Sequence, residues 1–310
     1  MSWRAALCGM LAISLASGCV PQAVTAVEEP MPIGDLVMVV QEGAALAAVG
    51  SSLYVVDRAA ATLTELRQDD SGALRSALAF GGRGSGDYAL MDPGGLDPTN
   101  GLVFLIADAG NGRIQRIGHD GRWLGSVAVP PAEPGGMRPS DRRDAGRSGE
   151  GAGRPIDVAM TPDGSFFVID ESRRAVAQIS SAGRLERLIG ADGPNTLGNP
   201  VSLVIGNDSR LYVADRDLAA VGVFDVFGTF LRFIPAEGIG MLRSVSISTD
   251  YLIIVGAEGI AVHHESRGFL DTLHFGGRRD LVDAAIMDGS IYILTTGGIH
   301  RIAVPPLSPR

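Results

Sequence analysis

The chain has 310 residues, of which 45% are hydrophobic, 20% charged and only 5% aromatic, a globular balance with ample length to bury a core. Its 42 glycines follow no three-residue period, and the charged fraction is too low for a disordered chain or a coiled coil. The formal net charge is −9, every basic side chain is arginine and no basic run occurs, which argues against a nucleic-acid partner.

In chain order, residues 1–18 read as an export signal. Arg4 supplies the positive start, and Ala5 to Ala16 form an apolar stretch too short to span a bilayer. Leu15-Ala16-Ser17-Gly18 then places small residues directly before Cys19. That ending resembles a bacterial lipobox. The resemblance implies cleavage after Gly18 and thioether-linked diacylglycerol on Cys19, the lipidation site and new N-terminus. Cys8 falls in the segment to be removed, so no disulfide framework is expected. Residues 19–34, with Pro21, Pro30, Pro32, Glu28 and Glu29, read as a tether. The expected location is the cell envelope, outer membrane or periplasm-facing, with the membrane engaged through the lipid alone.

A period emerges from residue 35 onward. Apolar runs ending in a small or acidic residue recur at Leu53–Asp57, Val103–Asp108, Phe166–Asp170, Leu211–Asp215, Leu252–Gly256 and Ile291–Thr295, with end points 51, 62, 45, 41 and 39 residues apart. Turn residues precede each run, as at Asn100-Gly101, Asp163-Gly164 and Asp288-Gly289, and a second glycine follows each of the first five. Each unit reads as four short antiparallel strands. In the third these are Ile156–Met160, Ser165–Asp170, Ala175–Ser180 and Leu185–Ile189. Units of about 40–45 residues with four strands and no helix predict an all-β, six-bladed β-propeller over residues 35–304. The sixth unit stops after three strands, at Ile299–Val304, and residues 305–310 form a tail. Asp35–Val40 has no partner in the first unit, so it is expected to complete the sixth blade and close the ring.

The repeat resembles the NHL type and, more loosely, the six-bladed propeller lipoproteins of Bacteroidota-like bacteria. The residues that carry this are Leu105-Ile106-Ala107-Asp108-Ala109-Gly110-Asn111-Gly112-Arg113-Ile114, with weaker copies at Phe167–Glu171 and Leu211–Asp215. Phe80 to Tyr88 looks like the glycine-rich blade junction of those lipoproteins. Gly256 and Thr295 depart from the pattern, standing where other units have aspartate. The resemblance implies architecture and leaves activity open.

By analogy with propellers, the second-to-third-strand loops and the blade junctions share one face, the ligand funnel. That face gathers Arg83, Asn111, Arg113, Arg173, Arg216, Arg278 and Arg279 as candidate binding residues, with Arg58, Asp87, Tyr88, Glu171, Arg174, Asp192, Asn195, Asp217, Glu237 and Asp280 beside them. Arginine forks suit carboxylates, phosphates and partner surfaces. The aspartates ending the second strands read as hydrogen-bond anchors for the following loop. No catalytic residue is assigned. The histidines are scattered: His119 falls in a turn on the opposite face, and His263 and His264 point to opposite sides of one strand. The stretch Pro130–Pro155, rich in Pro, Gly and Arg, reads as a flexible insertion at a blade junction, a tolerated loop or a partner-docking arm. The expected function is a binding scaffold for an envelope protein, a small ligand or a glycan, without a cofactor. The alternative is a metal-assisted hydrolase or lyase using Ca²⁺ or Zn²⁺ with funnel carboxylates, Asn195 and His274.

Overall fold

The computed structural model describes residues 31–98, 101–132, 153–161, 163–193, 195–248, 250–264 and 268–303. The signal segment, Cys19 and most of the 130–155 insertion lie outside them. The strands in chain order are β1 (Asp35–Val39), then β2 (Gly43–Val49), β3 (Ser52–Asp57), β4 (Thr62–Gln68) and β5 (Leu74–Gly81) as blade 1. Blade 2 is β6 (Pro93–Asp97), β7 (Val103–Asp108), β8 (Arg113–Gly118) and β9 (Trp123–Ala128). Blade 3 is β10 (Pro155–Met160), β11 (Phe166–Asp170), β12 (Ala175–Ile179) and β13 (Leu185–Ile189). Blade 4 is β14 (Pro200–Ile205), β15 (Arg210–Asp215), β16 (Ala220–Asp225) and β17 (Phe230–Pro235). Blade 5 is β18 (Leu242–Ser248), β19 (Tyr251–Gly256), β20 (Gly259–His264) and β21 (Gly268–His274), and blade 6 begins with β22 (Leu281–Met287), β23 (Ser290–Thr295) and β24 (Gly298–Ala303).

Blade 6 takes its outer strand from the other end of the chain. β1 pairs antiparallel with β24, with Asp35 opposite Arg301 and Val39 opposite Gly298. Each blade packs on its two neighbours, and the first and last meet, so the six antiparallel sheets close a ring. The expected propeller and its closure are present, and the third unit's strands fall within a residue of the expected bounds.

The core is six wedges between blades. The second strand of each blade is buried on both faces and splits its side chains between two wedges, as period 2 requires. In β11, Phe166 and Val168 pack toward blade 2, while Phe167 and Ile169 pack toward blade 4. In β15, Leu211 and Val213 face blade 3, while Tyr212 and Ala214 face blade 5. A lone blade would leave both faces in water, so stacking in a ring is what makes these continuous apolar runs tolerable.

Candidate functional site

The innermost strand of every blade carries a bulge at its second position. In β14, for example, Pro200 pairs with Asp215 and Ser202 with Ala214, leaving Val201 unpaired. The same irregularity recurs in β2, β10, β18 and β22, and in β6 the shift leaves both Gly94 and Gly95 unpaired. Ala44, Ile156, Val201 and Val282 at these bulges line the ring's axis and pack in part against the wedges. The axis holds a channel of about 2100 Å³, running from the hairpin turns around Gly50, Pro98 and Asn207 to the loops around Glu42, Arg58 and Thr296.

The second face is a braided rim. In each blade the backbone N–H just after the second strand donates to a carbonyl of the preceding junction, as from Arg58 to Glu42, Gly110 to Met91, Arg216 to Asn199 and Ala257 to Met241. The loops after the second strands and the blade junctions therefore share this face, as expected. The recurrent aspartates tie the same two segments with their side chains. Asp215 accepts from the N–H groups of Gly198 and Asn199 before the blade, and of Asp217 and Leu218 after its second strand. Asp57 accepts from Gln41 and Ala60, and Asp170 from Arg154 and Ser172. These carboxylates neutralise orphan N–H groups and are structural anchors.

The candidate residues separate into two groups. Of the seven binding candidates, Arg216 and Arg279 line the channel, as do the neighbouring Arg58, Glu171, Arg174 and Asp280. The others do not. Arg113 is held by Asp108 at 2.8 Å and donates to the carbonyls of Gly86 and Ala89. Asn111 donates to Gly84 O and Asp108. Together they clamp the glycine-rich junction onto blade 2, and Tyr88 seats there against Phe80 and Trp123. Arg83 donates to Ala59 O from an exposed position. Arg173 is buried against Asp170 and caps the carbonyls of Pro130 and Pro131. Arg278 is bound in a fork by Asp280 on its own loop, at 3.0 and 2.8 Å. Asp192 and Glu237 are exposed, and neither they, Asn195 nor His274 reach the channel. The insertion meets the mouth as expected: Pro131 and Ala132 on one side and Arg154 on the other line the cavity, while residues 133–152 lie outside the described ones.

The mouth also holds two arginines, Arg154 and Arg243, that the sequence did not place on this face. Arg58, Arg154, Arg174, Arg216, Arg243 and Arg279 converge on it. Arg58 pairs with Asp92 at 3.2 Å and Glu42 at 3.6 Å, Arg154 with Asp92 and Glu171, Arg174 with Asp217 at 3.0 Å, and Arg279 with Glu258 at 3.4 Å. Arg243 sits on a bulge. Aligning first strands instead of second strands would have exposed it as the one charged residue at that position.

Deeper in, a belt of polar side chains links successive inner strands. Asp157 of β10 accepts from Leu203 N–H of β14 at 2.8 Å, and Ser202 of β14 exchanges hydrogen bonds with Val245 of β18. Ser244 of β18 donates to Asp283 of β22 at 2.6 Å, and Asp283 accepts from Leu46 N–H of β2 at 2.8 Å. Asp157 displaces any side chain from its neighbour: a Cβ on Gly95 would meet its Oδ1 at 1.7 Å. Burial pushes the Asp157 carboxyl up to about 7 and that of Asp283 up to about 6, against the pull of the N–H groups they accept from. Among the described residues, no group of three His, Cys, Asp or Glu side chains converges as metal ligands would.

No protein-family model matches the chain, and no curated protein does. Solved structures do match it in fold. A streptogramin B lyase superposes with a TM-score of 0.60 at 13% identity, over 84% of this chain and 93% of the lyase. A gluconolactonase from Xanthomonas campestris gives a TM-score of 0.60 at 14% identity, over 88% of this chain and 89% of that one. The virginiamycin B lyase from Staphylococcus aureus, in its catalytically inactive form with quinupristin, gives 0.55 at 14% identity, over 85% and 80% of the two chains. At such identities the likeness is one of architecture.

Proposed function

We propose that the chain is a lipid-anchored, extracytoplasmic propeller of NHL-type repeats that works as a binding module, with the arginine-lined mouth as its working face. The observation that carries this reading is the channel: a cavity of about 2100 Å³ walled by six strands, with six guanidinium groups around one end. A closed ring holds those groups without an ordering cost on binding. Guanidinium forks recognise carboxylates, phosphates and protein surfaces, so the occupant is an envelope protein, a small ligand or a glycan. Diacylglycerol on Cys19 supplies the only membrane contact in this reading.

A second reading, metal-assisted hydrolysis or elimination at the same mouth, draws on the names of the similar folds, a lyase and a gluconolactonase. The described donors do not fit a metal: no ligand set converges, and Glu42, Asp92 and Glu171 are already engaged by arginines. Turnover separates the two readings. The purified chain, supplied with Ca²⁺ or Zn²⁺, is expected to leave gluconolactone and quinupristin intact. A kcat/KM of roughly 10⁴ M⁻¹s⁻¹ or more on either would contradict the binding-module reading.

A further inference from the structure

The mouth contains one arrangement twice, and the two copies differ in charge. Between blades 1 and 2, Arg58 follows the anchor Asp57 and its Nε–H donates to the carbonyl of Pro93, the first residue of β6, at 3.3 Å. Between blades 4 and 5, Arg216 follows the anchor Asp215 and its Nε–H donates to the carbonyl of Leu242, the first residue of β18, also at 3.3 Å. The blades' registers equate Glu42 with Asn199, since each precedes the residue paired with the anchor aspartate. They equate Asp92 with Met241, each just before the first strand of the next blade. The two carboxylates that neutralise Arg58 are thus an amide and a thioether around Arg216.

The second copy also gains a charge. Arg243 occupies the bulge of β18, where the other blades carry Ala44, Gly94, Ile156, Val201 and Val282. Five blades build the same strand with a small or apolar residue, so the fold does not require an arginine there. Its Nε is buried without a hydrogen-bond partner among the described residues. Among the described residues neither Arg216 nor Arg243 forms an ion pair, and the nearby Asp217 is engaged by Arg174 and Asn199. Burial first, and the charge of Arg243 second, hold the Arg216 guanidinium below its ordinary value, with Asp217 opposing. Two half-buried like charges that act on each other, one with an unused donor, cost folding stability. A cost that the repeat itself shows to be avoidable marks a site and not a scaffold.

We propose that Arg216 and Arg243 form an oxyanion subsite in the channel mouth that takes the carboxylate or phosphate group of a small ligand. The subsite rests on the reading of the mouth as the binding face and names the ligand class. An anionic group with two or more oxygens supplies these two channel-lining guanidinium groups with the counter-charge that Asp92 and Glu42 provide in the other copy.

Calorimetric titration of the purified chain with inorganic phosphate and, separately, with D-galacturonate tests this, using wild type, Arg243→Met and Met241→Asp. The galacturonate arm reports a carboxylate ligand and the phosphate arm a phosphate ester. Wild type is expected to bind at least one of them saturably, and both variants to weaken that binding by about tenfold or more, the loss of one charge-assisted hydrogen bond. Met241→Asp keeps both arginines and restores the acid of the other copy at an exposed position, so its effect does not depend on how Arg243→Met folds. In anion-free buffer Arg243→Met is expected to melt no lower than wild type. Absence of saturable binding of either anion, or unchanged binding in Met241→Asp, overturns the subsite. If capture of a ligand from solubilised envelopes still depends on the mouth, only the subsite falls.

Discussion

At the scale of single residues, aspartate does two different jobs in this ring. Asp57, Asp108, Asp170 and Asp215 lie at the rim and accept from several N–H groups each. Where the repeat lacks the aspartate, the rim is closed otherwise. At Gly256 the carbonyl of Ile239 takes the space, 2.1 Å from where a Cβ would sit, and accepts from Glu258 N–H. Thr295 donates its hydroxyl to Gly298 O. Asp157 and Asp283 instead sit in the buried belt, where desolvation outweighs the hydrogen bonds and raises both carboxyls, from 3.8 to about 7 and about 6. A raised folded-state value means that the native ring binds protons which the unfolded chain has released. Their contribution to stability is full below about pH 4 and is lost as pH rises through about 6 to 7. Each pH unit between the two values is worth at most about 1.4 kcal/mol. Urea denaturation at pH 5 and pH 8 is expected to show wild type losing more stability than Asp157→Asn over that interval. Equal losses would show that the belt carboxylates do not titrate there.

At the scale of elements, β1 has the clearest single task. It pairs with β24 along its length, and Val37, Met38 and Val40 pack in the wedge between blades 6 and 1. Removing residues 31–40 bares the edge of β24 and opens that wedge. The truncated chain is expected to melt well below the full chain and to self-associate, measured by calorimetry and light scattering; an unchanged melt would show that the ring does not depend on this closure. Much of this was legible in the sequence, because second strands are buried on both faces and read as apolar runs with a fixed acidic end. The rim aspartates were legible for the same reason. The mouth was not. Its residues sit on first strands such as β2, whose Gly43-Ala44-Ala45-Leu46 has weak strand character, and on bulges that shift the pattern by one residue. Sequence also cannot tell a free arginine from an engaged one: Arg113, Arg173 and Arg278 share a face with Arg216, yet each is occupied by a neighbouring carboxylate.

At the scale of the molecule, an acidic chain of net charge −9 concentrates arginine at one end of its channel. The overall charge disfavours anions elsewhere on the surface, while a cationic cleft with low-dielectric walls focuses the field toward the mouth. The insertion ends, Pro131, Ala132 and Arg154, enter the same mouth, so chain length has been added where the charge is. Six blades of one design provide the ring, and their departures from that design, Asn199 at the entry to blade 4 and Met241 and Arg243 at the entry to blade 5, flank Arg216 from either side. The measurement that bears most directly on the mouth as the working face is ligand capture from gently solubilised envelopes. It compares wild type with Arg279→Glu, a reversal at an exposed mouth residue, and with Arg75→Glu on the outer strand β5. A stoichiometric protein, small molecule or glycan retained by wild type and Arg75→Glu and lost in Arg279→Glu is the expected result. Equal retention by all three, or capture of nothing by any of them, would contradict the mouth as a binding face.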